Sequence, residues 1–167
     1  MTPGGAPSWS FGPSDSQKIE GILSTLLYEA NARCALLVDR TGQLVTTVGE
    51  QPNFDSAAFA SLTAADFSAN DQLASLIGEE DFSSLFHQGR TESMYLADIG
   101  KRLILVVLFN KQTTLGLVRI KIKDAVVGLT RAFEDVFGRS EADEETPALE
   151  RGFVDEAEDE IDRLFRE

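Results

Sequence analysis

The run Leu103-Ile104-Leu105-Val106-Val107-Leu108-Phe109 contains no polar residue. Successive strand residues point to opposite faces. A strand of this composition therefore needs apolar cover on both faces, or cover on one face and a partner on the other. Seven residues fall far short of the ~20 that span a bilayer as a helix. The run thus demands a layered, water-facing protein, and the flanking sequence must supply the layers.

Two helices are predicted upstream. The first covers about Asp15 to Asn31, with Ser14 and Gln17 in capping-box spacing and an apolar stripe of Ile19, Ile22, Leu23, Leu26, Leu27 and Ala30. A hairpin follows: Ala35–Val38, the turn Asp39-Arg40-Thr41-Gly42, and the β-branched return Leu44–Val48. The second helix covers about Asp55 to Ile77, with Asn53 or Asp55 as cap and Gly78 as its end. It is alanine-rich. Its bulky residues, Phe59, Leu62, Leu73, Leu76 and Ile77, are predicted to meet the core. Its small row, Ser61, Ala65, Ser68 and Gln72, is predicted to admit another backbone closely. Three strands come next, Phe82–Gln88, Ser93–Asp98 and Arg102–Phe109, with turns at Gly89-Arg90 and Ile99-Gly100.

Residues 113–137 carry two patterns. Val118, Ile120 and Ile122 alternate as in a strand. Over the longer window Leu115, Val118, Ile122, Ala125, Val126, Leu129, Phe133, Val136 and Phe137 recur at helical spacing, and a helix ending at Gly138 is the reading adopted. Residues 1–13, rich in Pro, Gly and Ser, read as a flexible arm whose Trp9 and Phe11 pack locally. The main domain is then 14–138. Residues 139–152 read as an acidic linker, and 153–167 as a short amphipathic helix with Val154, Ile161, Leu164 and Phe165 on one stripe. That stripe suits a partner's groove or the chain's own domain. No internal repeat or heptad array is evident.

The formal net charge is -13, from 28 acidic and 15 basic residues. Phosphate backbones and anionic lipids repel such a chain, so nucleic acid and membrane surfaces are not expected partners. A single cysteine, Cys34, rules out an intramolecular disulfide. With no secretory signal pattern at residues 1–10, the cytoplasm is the expected location.

Reactive groups are few. His87 is the one histidine, and it lacks companions at zinc-ligand spacing. Cys34 reads as a small core residue, and Glu79-Glu80-Asp81 as a solvated loop. No P-loop and no nucleophile elbow occurs. No metal or cofactor is implied. The weight falls on binding, not catalysis, with a small-molecule sensor ranked low because nothing polar converges on a pocket.

Several segments, in order, resemble the bacterial MglB branch of the roadblock family of dynein-light-chain-like domains. These are Leu36-Leu37-Val38-Asp39-Arg40-Thr41-Gly42-Gln43-Leu44, Ala60-Ser61-Leu62-Thr63-Ala64, and Leu73-Ala74-Ser75-Leu76-Ile77-Gly78-Glu79. Phe86-His87-Gln88-Gly89, Leu115-Gly116-Leu117-Val118-Arg119 and the closing Asp159-Glu160-Ile161-Asp162-Arg163-Leu164-Phe165 continue the likeness. The resemblance implies an α/β (α+β) roadblock/profilin-like fold, a five-stranded antiparallel sheet flanked by helices in the order α-β-β-α-β-β-β-α. It also implies a homodimer, with Ala58, Phe59 and Leu62 of the second helix and Ser84, Phe86 and Gln88 of an edge strand at the interface. It implies docking of a small Ras-like GTPase of the MglA type on Ser61, Ala64, Ala65, Ser68, Ala69 and Gln72, with Ile161, Leu164 and Phe165 of the tail touching it too. Such a dimer activates GTP hydrolysis by arranging the GTPase's own residues, without an arginine finger. The alternative is a scaffold that tethers a GTPase, polarity proteins or another roadblock protein. The chain departs from the family pattern where Phe67, Asn70, Asp71 and Gln72 are large or polar.

Overall fold

A computed structural model of the chain describes residues 11–164, excepting the side chains of 140–162. Eight elements follow one another: α1 (Pro13–Ala30), β1 (Cys34–Asp39), β2 (Leu44–Gly49), α2 (Ser56–Leu76), β3 (Ser84–Gln88), β4 (Glu92–Ile99), β5 (Leu103–Asn110) and α3 (Leu115–Leu164). The strands form one antiparallel sheet in the order β2-β1-β5-β4-β3. This is the fold class predicted from the sequence.

The apolar run is β5, at the centre of the sheet. Leu103, Leu105, Val107 and Phe109 point to a core shared with α1 and α3. Ile104, Val106 and Leu108 point to a second core under α2. Both faces are covered by helices of the same chain, which accounts for the missing polar residues. β2 and β3 are the two edges.

Local chemistry fixes the elements. The α1 stripe is buried as predicted, but its cap lies further upstream. Gly12 is the N-cap, and its N–H donates to Oδ2 of Asp15 at 3.1 Å; Ser14 is inside the helix. Asp55 caps α2 by accepting from the N–H groups of Ala57 and Ala58. Oδ1 of Asp39 accepts from Thr41 N, Thr41 Oγ1 and Gln43 N, so one carboxylate folds the β1–β2 turn. In the three-residue β4–β5 connection Gly100 and Lys101 both have positive φ, as at the central positions of a type I′ turn, and the Arg102 N–H closes it on the Ile99 carbonyl at 3.2 Å. Phe11 packs edge-on against Phe133 at 5.3 Å. Trp9 and the rest of the predicted arm to residue 10 lie outside the described residues.

Two expectations need correction. α3 does not stop at Gly138 but runs as one helix to Leu164, through the stretch read as a linker and into the segment read as a separate helix. One interior glycine costs only about 1 kcal/mol relative to alanine, so Gly138 does not stop the helix. The helix also carries Pro147, a costlier interior residue, between good helix formers such as Glu144, Glu145, Ala148 and Leu149. The burial of α2 also differs from the one predicted. Of its bulky residues Phe59 packs against the core, whereas Leu62, Leu73, Leu76 and Ile77 do not. The sheet is met instead by Ala60, Thr63, Ala64, Phe67, Asn70 and Ala74, and Phe67 is the only large side chain among them.

Arg139 donates to Oδ1 of Asp15 at 2.7 Å, clasping the start of α1 to α3. That bond chiefly holds the Asp15 carboxyl below its ordinary range. A depressed carboxyl contributes stability above its unfolded value of about 3.9, and the contribution disappears as pH falls through the lower folded value. Asp15→Asn is therefore expected to lower urea stability at neutral pH and to converge with the parent in strong acid. Gly49 offers a second test. At its φ of +99°, an added Cβ would lie 2.5 Å from the carbonyl oxygen of Arg33. Gly49→Ala is expected to cost about 2 kcal/mol or more in urea unfolding.

Candidate partner-docking surface

Because mostly small residues seat α2, four of its large ones face water. Leu62, Leu73, Leu76 and Ile77 are 71%, 58%, 82% and 71% exposed. Ala58, Leu62, Ala65, Ala69, Gln72 and Leu76 are all exposed and follow one another at spacings of 4, 3, 4, 3 and 4. That is the seam spacing of two helices packed at a shallow angle. The sequence does not read as a heptad array because the ridge covers under three repeats and Leu73 and Ile77 blur its edge.

The two flanks of the ridge differ. Nε2 of His87, on β3, meets Oδ2 of Asp66 at 2.6 Å, so the Asp66 side of α2 faces the edge strand. Leu62 and Leu73 lie one turn before and two turns after Asp66 on that side. The bulky flank therefore overhangs the β3 edge. The opposite flank faces the β1–β2 turn. Oγ of Ser61 lies 3.5 Å from the carbonyl of Gly42, and a Cβ on Gly42 would sit 3.2 Å from Ser61 Cα. Ser61 and Ser68 are exposed along this smooth flank.

The predicted residues sort as follows. Ser61, Ala65, Ser68, Ala69 and Gln72 share the outer surface of α2, as do Ala58 and Leu62. Ala64 does not; it is buried against the hairpin. Phe59 is half-buried and pairs with Phe54 at 4.7 Å. Ser84, Phe86 and Gln88 are on edge strand β3, with Phe86 stacked on Phe109 beneath the α1/α3 face. Leu164 is exposed, whereas the side chains of Ile161 and Phe165 lie outside the described residues. The residues that depart from the family pattern are mostly turned inward. Phe67 and Asn70 are buried, and Asp71 is held by Arg40, so only Gln72 reaches the outer ridge.

Sequence reading missed the Arg40 cluster. Arg40 leaves the β1–β2 turn, lies 4.6 Å from the Phe67 ring centre, and donates to Asp71 of α2 at 2.8 Å and to Asp98 of β4. Desolvation weakens its charged form, but the hydrogen bonds it donates to Asp98 and Asp71 outweigh this and raise its pKa. The three residues are far apart in sequence, and no local motif joins them. Next to them Lys101 pairs with Asp81, so the acidic run 79–81 is partly neutralised. Among the described residues no group of three His, Cys, Asp or Glu side chains is placed to hold a metal. Burial pushes the Cys34 thiol up, away from the reactive thiolate.

This geometry leaves an exposed helix ridge beside an edge strand, braced from below by the Arg40 cluster. The Roadblock/LC7 domain model matches residues 18–109. MglB from Myxococcus xanthus is 44% identical over 71% of this chain and 96% of its own, with a TM-score of 0.68. The gliding protein MglB from Thermus thermophilus is 30% identical over 78% and 99%, with a TM-score of 0.73. An MglB structure with a tetrameric arrangement is 30% identical over 79% and 99%, with the same TM-score. No curated protein matches. The chain belongs to the Roadblock/LC7 domain family, in its MglB-type branch. Among the described residues no helix is long and apolar enough to cross a membrane.

Arg40→Ala would remove the ion-pair partner of Asp71 and Asp98 and uncover the Phe67 ring. The cluster is neither fully buried nor fully exposed, so the expected loss is about 1–2 kcal/mol. Equilibrium urea unfolding measures it directly.

Proposed function

We propose that the chain is a cytoplasmic homodimer that regulates a small Ras-like GTPase of the MglA type and has no catalytic residues of its own. The observation that carries this reading is the bulky flank of α2 overhanging the β3 edge. Pairing the β3 strands of two copies would satisfy their open backbone groups and bring the Leu62–Leu73 flanks together. One contact would then cover both features that the single chain leaves exposed. The likeness to an MglB with a tetrameric arrangement supports self-association.

In such a dimer the small row Ser61, Ala65, Ser68 and Gln72 of each copy stays uppermost and forms a smooth platform. A GTPase docked there would be activated by preorganisation, its own residues being set against the γ-phosphate. The tail residues Ile161, Leu164 and Phe165 are a second contact in this proposal.

Adding the purified chain to an MglA-like GTPase is expected to accelerate phosphate release, and Ser68→Arg to abolish the effect while leaving the fold intact by circular dichroism. Binding without acceleration would select the scaffold reading. Neither binding nor acceleration would overturn both.

A further inference from the structure

On the face of the sheet opposite α2, a groove of about 510 Å³ runs between the start of β3 and the first half of α3. Tyr95, Ala97, Ile122 and Val126 form an apolar floor and wall, and Arg119 and Lys123 stand on its α3 side. Val127 on the rim and Ile120 nearby are 53% and 59% exposed. The stretch 111–131 has five basic residues (Lys111, Arg119, Lys121, Lys123, Arg131) and one acidic residue (Asp124), a local charge of +4 in a chain of -13. Lys121 is engaged by Glu29.

An occupant for this groove should be apolar on one side and acidic on the rest. The chain itself contains such a segment. Residues 153–167 have seven acidic and two basic residues, with Val154, Ile161, Leu164 and Phe165 as the apolar set. Leu164 is exposed on its own chain. A chain cannot deliver this segment to its own groove while α3 is a single helix. From Val127 to Leu164 is 37 residues, about 55 Å along the axis.

We propose that the β3–α3 groove receives the acidic C-terminal segment, residues 153–167, of a second copy of the chain. The apolar set lies against Ile122, Val126 and Val127, and the carboxylates face Arg119 and Lys123. This is helix-in-groove recognition with charge setting the orientation. It uses the face of the sheet opposite the GTPase platform and would withhold from a GTPase the same segment that the family resemblance assigns to it.

The test uses two full-length variants, Val127→Cys and Leu164→Cys, mixed without any GTPase and treated with a short bis-maleimide; native Cys34 is buried. The expected result is a linked dimer in the mixture that neither variant gives alone. It should be lost in about 1 M NaCl, where the screening length is about 3 Å, and lost when Arg119→Glu and Lys123→Glu are added to the Val127→Cys chain. Circular dichroism must show that chain folded. Linked dimers from Val127→Cys alone would mean that α3 of the second copy fills the groove. An internal link in a diluted Val127→Cys/Leu164→Cys chain would mean that the tail folds back on itself. Either result, or no link in the mixture, overturns the proposal. Because no GTPase is present, none of these outcomes bears on the regulatory reading.

Discussion

Strand β5 has no side that faces water, and the arrangement of the other elements follows from that constraint. Its odd-numbered residues need the α1/α3 layer and its even-numbered ones need α2. Each large aliphatic side chain buried this way is worth about 1.5–3 kcal/mol. The central position follows too, because an edge strand of this composition would be an open invitation to aggregation. The less apolar strands, β2 and β3, are left at the edges, with Thr46 and Thr47 on one and His87 and Gln88 on the other.

The two helical layers are built on different terms. α1 and α3 bury long continuous stripes, including Leu23, Leu129 and Phe133. α2 rests on the sheet through alanines, a threonine, an asparagine and one phenylalanine. Polar ties supplement that thin contact: Arg40 to Asp71, and His87 to Asp66. The Arg40 guanidinium also covers the ring of Phe67, the one deep anchor.

The fold was legible wherever a single pattern dominated. The α1 stripe, the β5 run and the long period of α3 each identify their element, and in residues 113–137 nine apolar positions at helical spacing outweighed three at strand spacing. Which face of α2 is buried was not legible, because the rule that large apolar residues point inward fails on a helix whose large residues sit beside an open sheet edge. Local glycine and capping signals also misled. Gly138 looked like a stop, and Ser14 looked like a cap where Gly12 serves. On α2 the small row Ser61, Ala65, Ser68 and Gln72 lies outward as expected, whereas Ala64, expected on the same outer surface, is buried. The Arg40 cluster was invisible because its members meet only after β1, α2 and β4 have come together.

The seat and the outer ridge of α2 use different residues. Phe67, Ala60 and Ala74 hold the helix down, whereas Ala58, Ala65, Ala69 and Gln72 lie on its far side, exposed to solvent. Exchanges at such exposed helix positions typically change stability by no more than about 0.5 kcal/mol. The surface along one side of this rod can thus change while the hydrophobic interior stays as it is. A duplicated copy of such a scaffold is free to drift in its outer face without first being restabilised.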